Sequence, residues 1–459
     1  MNANKLVLRP ALLFAAAGAL ALTLVAGPAA AQRVSAGKPK FSEAVAFDVS
    51  KAARDIAPMS GAGRVALPEG GLLDVRPERG PVAKDKGHSG DGALGKSGVK
   101  SFSAAMEAVA NFEGVSNQDN FNIFGFRVNP PDPVGDVGPN HYVEMVNLAY
   151  AVYDKSGNLL AGPFDTGTLW AGFPIEDCTD PSGDPIVLYD QLEDRWLLSQ
   201  FTTRGLDDQV PFYNCVAISV TGDPTGAYYR YAFITQPDEV DGGYFFPDYP
   251  KYGVWTNSYI LTTRDFGWLN RYGISVYALE KNKMLAGNPK ARAVQFFLDS
   301  DVVPLNLIGD GLLPADIDGT RRPLDHVAAP IVGTQDDNAF YGAGFDALNI
   351  WDLSIKWNAT PNASLTLATQ LPVASFDSIF PCAPTSRDCL PQPGIANPNQ
   401  YLDILSYRQR PTHRLAYRNF GTYEALVTNQ SVEATPGMAG VRWYEIRRNY
   451  TLPSKKTWQ

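Results

Sequence analysis

The 459-residue chain carries 39 basic and 48 acidic residues, a net charge of −9, and no long Lys/Arg run, which argues against a nucleic-acid partner. Charged residues make up only 19%, while Gly numbers 41 and Pro 35, a turn-rich balance that suits short strands better than long helices. Past the N-terminus there is no apolar run of about 18 residues, and no nucleophile elbow, zinc-protease helix, haem-attachment motif or phosphate loop occurs, so a membrane span in the mature chain and those enzyme classes are set aside.

Residues 1–31 read as a signal peptide. Lys5 and Arg9 give a basic start, Ala11 to Ala26 is apolar but short and Ala-rich, and Ala29 to Ala31 supply small residues for cleavage before Gln32. The mature protein is therefore expected to be secreted by a bacterium, to the periplasm or beyond. Residues 32–116 are poor in aromatics and rich in Gly, Ala, Ser, Pro and Lys, which predicts a low-complexity flexible leader with short helices over SEAVAFDVSKAARDI and SFSAAMEAVANF. From 117 to 450 short apolar runs recur between Gly, Pro, Asn and Asp, and residues 451–459 form a tail.

Within that region SGDPIVLYDQLEDRWLLSQF, Ser182 to Phe201, reads as a hairpin: strands IVLY and RWLLSQF joined by the polar turn DQLED. Cys178 flanks it and Cys215 lies in the next apolar run. With Cys382 and Cys389 they make an even set of four in an exported chain, which favours two disulfides, Cys178 with Cys215 and Cys382 with Cys389 being the local choice among three pairings. A zinc site fits less well, because no C-x-x-C pair occurs and the chain has four His.

A loose repeat runs through the same region. PVGDVGPNHYVEMVN, PSGDPIVLYDQLEDRWLLSQF, FPDYPKYGVWTNSYILTT, LPADIDGTRRPLDHVAAPIVG and PNQYLDILSYRQRPTHRLAYRNF each place an Asp before one strand and an aromatic-led strand after it. These leading acids are Asp136, Asp184, Asp248, Asp316 and Asp403, spaced by 48, 64, 68 and 87 residues, room for four strands and their loops per unit. This predicts an all-β chain, a β-propeller of about five blades, over a run of β-sandwiches, which would lack a recurring acid-then-aromatic opening. The chain ends soon after the fifth unit, so a ring truncated from a larger one is also expected.

The motifs GDVGPNHYVEMVN, GDPIVLYDQLEDRWLLSQF, NCVAISVTGDPTGAYYRY, DYPKYGVW, LLPADIDG, HRLAYRNF and AGVRWYEIR, in that order over about Pro130 to Arg447, resemble a large, mostly uncharacterised family of secreted bacterial propeller proteins. That family is distantly similar to the sialidase and arabinanase propellers. The resemblance implies a propeller, with further blades beginning near a Trp-Gln such as Trp458-Gln459, and it implies no particular activity.

Asp184 has two readings. As structure, its carboxylate binds turn N–H groups while Pro185 omits a ladder donor at the first residue of a strand. As chemistry, an acid at the start of an inner strand points into an axial funnel, where two carboxylates about 5–10 Å apart act as acid and base or nucleophile. Asp184, Asp248 and Asp316 are the catalytic candidates. With Asp136 and Asp403, supported by Glu144 and Glu424, they would make an anionic ring for a hydrated Ca²⁺ or a cationic or polyhydroxy ligand, balanced by Arg195, Arg414, Arg418 and Arg442.

ADIDG offers Asp316 and Asp318 as weak metal ligands but lacks the rest of a calcium loop. His141 and His413 read as structural, and the recurring Trp residues as inter-blade core. The expected function is a non-catalytic monomer binding a glycan or a cell-surface protein, with Ca²⁺ as the one cofactor that the acids would suit. The alternative is a glycoside hydrolase or lyase.

Overall fold

The computed structural model describes residues 34–56, 110–128, 130–208, 211–235, 244–267, 271–323, 328–337, 341–378, 388–390, 402–403, 409–435, 438–449 and 458–459, with 93, 394, 396 and 397 singly. Two short strands come first, β1 (Lys40–Glu43) and β2 (Ala46–Val49), and helix α1 (Asn117–Phe124) follows. The chain then folds into antiparallel meanders. β3 (Val134–Val137), β4 (His141–Val146), β5 (Ala149–Asp154) and β6 (Leu159–Asp165) form a four-stranded sheet in sequence order.

The predicted hairpin is β7 (Ile186–Asp190) and β8 (Arg195–Phe201), in register from Ile186 opposite Ser199 to Asp190 opposite Arg195. After the short helix α2 (Gly205–Asp208), β9 (Tyr213–Ser219) and β10 (Tyr228–Ile234) complete the meander, and β2 is added outside β10. β11 (Phe246–Val254), β12 (Ser258–Phe266) and β13 (Tyr272–Glu280) precede helix α3 (Lys281–Leu285) and β14 (Arg292–Asp299), and β1 is added outside β14. β15 (Leu313–Ile317), β16 (Ala329–Gln335), β17 (Ala347–Lys356) and β18 (Asn362–Pro372) follow. A two-stranded pair, β19 (Asp388–Leu390) and β20 (Leu402–Asp403), stands apart from the last meander, β21 (Thr412–Asn419), β22 (Tyr423–Thr435) and β23 (Met438–Asn449).

The inner strands lie side by side in chain order: β3 by β7, β7 by β11, β11 by β15, and β15 in parallel pairing with β21, Ala315 opposite Leu415. The sheets stack face to face. Val143, Met145 and Val152 of the first pack on Val187, Trp196 and Leu198 of the second. Ile186, Leu188 and Val216, from the other face of the second, pack on Tyr252, Val254 and Leu261 of the third. Ile260, Val276 and Phe296 meet Leu313, Ile331 and Ile350, and the same core reaches Leu415, Leu426 and Ile446. The first four meanders, of four strands each with the first strand innermost, are propeller blades; the last has three strands, is joined to the fourth through β15 and β21 in one seven-stranded sheet, and leaves Val441 and Trp443 exposed. Burial on both faces is why every residue of β8 from Trp196 to Phe201 is buried, Ser199 and Gln200 included, without alternation.

The buried tryptophans Trp170, Trp196 and Trp351 lie in this inter-blade core. Each removes about 150–250 Å² from water, roughly 4–6 kcal/mol at ~25 cal/mol per Å², as an upper bound.

SEAVAFDVSKAARDI, expected as a helix, is not helical: Lys40–Glu43 and Ala46–Val49 are strands, and a single 3₁₀ turn follows at Ala53–Asp55. Upstream, Ala36 N–H donates to Leu365 O and Leu367 N–H to Val34 O, which places Val34 to Ala36 on the edge of β18. Residues 34–49 thus lace the outer edges of three successive blades in reverse order. Edge strands with one partner need little apolar patterning, which is why this segment reads as leader. The expected helix over SFSAAMEAVANF lies outside the described residues apart from Ala110 to Phe112.

Cys178 is bonded to Cys215, with a Cα–Cα distance of 5.9 Å, tying the turn at Glu176–Thr179 to β9. Cys389 lies in β19, and Cys382, its expected partner, lies outside the described residues. No helix among the described residues is long and apolar enough to cross a membrane.

Candidate functional site

The leading acids fall into two groups, set at different heights along the inner strands. The first surrounds Asp184, just ahead of β7. Gly183 has φ +107°, and a Cβ there would lie 3.3 Å from Asn147 Oδ1. Asp184 itself sits at φ +41°, a conformation that Asp tolerates. Asn147, from the β4–β5 turn, accepts the Asp184 N–H at 2.9 Å and donates Nδ2–H to Asp132 Oδ2 at 2.8 Å. Asp184 Oδ2 accepts the backbone N–H of Tyr249 in β11 at 3.0 Å. Burial, with the Asp132 carboxylate beside it, pushes the Asp184 carboxyl up to about 7, and Lys251 opposes the shift.

Asp248 belongs to the same group. Its carboxylate lies 3.7 Å from Arg264 of β12, and burial together with Asp184 raises it to about 6 against the pull of Arg264, Arg410 and Lys251. Lys251 Nζ and the Arg410 guanidinium each stand 3.5 Å from the centre of the Tyr249 ring. His413, at the start of β21, is lowered to about 3 by burial and by the nearby Lys251 and Arg414 charges, so it is a neutral imidazole at pH 7.

The second group lies further along the strands. Asp136 Oδ2 accepts the Tyr189 N–H of β7 at 2.7 Å, and Oδ1 accepts Val137 N–H at 2.7 Å. Asp316 Oδ1 accepts the Val254 N–H of β11 at 2.9 Å, and Oδ2 accepts Arg414 Nε–H at 2.8 Å. Burial raises both carboxyls, Asp316 to about 6. Asp318, just past the end of β15, pairs with the same guanidinium, so the two acids of ADIDG converge on Arg414.

The structure thus brings Asp184 with Asp248, and Asp136 with Asp316, but not all five acids into one ring. Asp403 leads no inner strand: it lies in β20, which pairs with β19, whereas the last inner strand begins at Thr412 and carries Arg414. Of the expected arginine partners, Arg414 meets a leading acid. Arg195 donates to the Glu193 and Asp194 carbonyls, Arg442 to the Ala374 and Ser375 carbonyls, and Arg418 stands over the Phe420 ring. Glu144 accepts the Val115 N–H, and Glu424 binds Tyr417 and Arg448, both away from these groups.

Sequence reasoning missed Asp132 and Arg264, which lie outside the repeated segments, and Asn147, Lys251 and Arg410, which lie within them but are not the leading acids that the pattern picks out. It also missed Asp336, Asp337 and Asp346, which can each bring one oxygen within 4.8 Å of the others in the loop between β16 and β17. Asp336 and Asp346 already accept bonds from Ser378 and from Phe376 N–H, and burial raises Asp346 to about 6. Among the described residues this trio is the set that could hold a cation, and Asp316 with Asp318 is not part of it.

No protein-family model matches the sequence, and no curated protein matches it. Among solved structures, the chain is similar to a thermostable family-43 glycoside hydrolase at 11% identity, covering 72% of this chain and 94% of that one with a TM-score of 0.30. It is similar to a GH43 endo-arabinanase from Bacillus licheniformis at 13% identity, covering 70% and 94% with a TM-score of 0.29. A subtype N11 neuraminidase-like protein of a flat-faced bat isolate is similar at 8% identity, covering 68% and 70% with a TM-score of 0.32.

Proposed function

We propose that this is an exported, non-catalytic β-propeller that binds a glycan or a cell-surface protein, with its leading acids serving the architecture. The observation that carries this reading is that Asp136, Asp184 and Asp316 each give a carboxylate oxygen to a backbone N–H of the neighbouring inner strand. An acid held in that way stitches blades together, and withdrawing it for catalysis would leave a buried N–H without a partner. Beside the Asp184 group, Asp132, Tyr249, Lys251 and Arg410 offer mixed donors, acceptors and a ring, the equipment that orients a polyhydroxy ligand. Glycan-array screening followed by calorimetry tests this. Binding without turnover, weakened by Lys251→Ala, is expected, whereas no binding to any glycan or surface protein overturns it.

The hydrolase reading has one observation in its favour, the Asp184 carboxyl raised to about 7 beside Asp132. Hydrolysis of a glycan panel that disappears in folded Asp184→Ala and Asp248→Ala variants would establish it in place of the first.

A further inference from the structure

Where the second and third blades meet, far along β7 from Asp184, a lysine and an aspartate face each other with almost no access to water. Asp190 closes β7 and Lys281 opens α3. Lys281 Nζ lies 2.6 Å from Asp190 Oδ2, and the two side chains are 0% and 1% exposed. The other groups that amide formation needs surround them. Leu192 N–H donates to Asp190 Oδ1 at 3.0 Å, Tyr259 O–H donates to Oδ2 at 3.1 Å, and Lys281 Nζ donates to the Trp255 carbonyl at 3.2 Å. Glu193 Oε1 stands 4.0 Å from Nζ, itself held by Arg322 at 2.7 Å.

We propose that Lys281 and Asp190 join in an intramolecular isopeptide bond that cross-links the two blades, with Glu193 as the proton relay. The step balances without any oxidant or co-reactant. In the dry site the ammonium passes a proton to the carboxylate, giving a neutral amine and a neutral acid. Burial favours that exchange, because it depresses the Lys281 ammonium. The Nζ lone pair then attacks Asp190 Cγ, and the developing oxyanion on Oδ1 rests on Leu192 N–H. Glu193 takes one proton from Nζ and delivers it to the Oδ2 hydroxyl, which already accepts from Tyr259. The Cγ–Oδ2 bond breaks, Oδ2 leaves as water, and the Cγ–Nζ amide remains with its N–H on the Trp255 carbonyl.

Proximity supplies the driving geometry, since a nucleophile and carbonyl locked together react at effective concentrations of about 10⁵ M or more. Exclusion of water protects the product. An exported chain that threads its N-terminal segment around three blades gains a covalent tie where two of those blades meet.

The test is peptide mapping by mass spectrometry of the purified full chain. The expected result is a branched peptide joining the segments that contain Asp190 and Lys281, lighter by one water than the two together, with protease cleavage after Lys281 lost. Glu193→Gln is expected to leave most of the chain unlinked, and Asp190→Asn to restore the same amide with loss of ammonia in place of water. Recovery of both peptides separate and unmodified from the wild-type chain overturns the proposal, and that readout needs no variant to fold.

Discussion

The carboxylate of Asp136 in β3 accepts the backbone N–H of Tyr189 in β7 at 2.7 Å, a bond from the inner strand of one blade to the inner strand of the next. β3 and β7 are neighbours but not ladder partners, so the Tyr189 N–H has no strand to answer it. The Asp136 side chain replaces the missing strand. Asp136→Ala leaves that donor buried, and a loss of about 1–3 kcal/mol is expected in urea unfolding. Asp136→Asn keeps an acceptor and should recover more than half of the loss. Equal losses in the two variants would mean that the N–H bond is not what Asp136 contributes.

Asp184 makes the corresponding bond to Tyr249 with a carboxyl raised to about 7, which fixes the sign of a pH effect. A carboxyl whose folded value lies above its unfolded value of about 4 holds its proton more tightly when folded. Its contribution is largest below pH 4, declines as pH rises towards 7, and stays low above that. Asp184→Asn mimics the protonated acid and still accepts from Tyr249. It should match the wild type near pH 4 and exceed it near pH 8 by up to about 4 kcal/mol, less in proportion to residual solvation. Denaturation midpoints across pH 4–8 that run parallel in the two proteins would contradict this.

Much of the fold was legible in the sequence because propeller blades are local. A hairpin such as β7–β8 carries its own turn, and its Asp-Pro opening and Arg-Trp restart are short-range signals. Asp136, Asp184, Asp248 and Asp316 were visible at the blade openings for the same reason. What they touch was not, because Tyr189, Tyr249, Val254 and Arg264 belong to other blades or second strands. Those partners offer either a backbone N–H, which any residue except Pro possesses, or a basic side chain indistinguishable from solvated ones. Asp403 misled because it copies the acid-then-strand pattern nine residues before β21 starts, and only pairing assigns it to β20.

The disulfide between Cys178 and Cys215 closes a loop of 37 residues in sequence separation. Loop-closure entropy for that length corresponds to about 4 kcal/mol, with measured effects commonly about 2–4. The double variant Cys178→Ser, Cys215→Ser should lose that much in guanidinium unfolding, and wild type under reductant should behave alike. No difference between oxidised and reduced protein would show that the loop is already restrained in the unfolded chain.

The segment that read as leader is expected to behave as core. Arg230 of β10 is 4% exposed in its side chain, and it pairs with Asp48 of β2, Nε to Oδ1 at 2.7 Å and the second nitrogen to Oδ2 at 2.5 Å. Its remaining donor reaches the Leu169 and Ala171 carbonyls, so the guanidinium is committed on every side and stacks on Phe173. Asp48→Ala leaves a buried cation with half its partners, for which a loss of about 3–5 kcal/mol is expected. Deleting residues up to Val49 should do the same and also free the edges of β10, β14 and β18, which promotes sheet-to-sheet association. The measurement is thermal unfolding with light scattering. An Asp48→Ala protein that unfolds with the wild type, and a truncated protein that stays monodisperse, would return this segment to the role of a solvated leader, because a flexible tether contributes neither a partner for Arg230 nor cover for an edge.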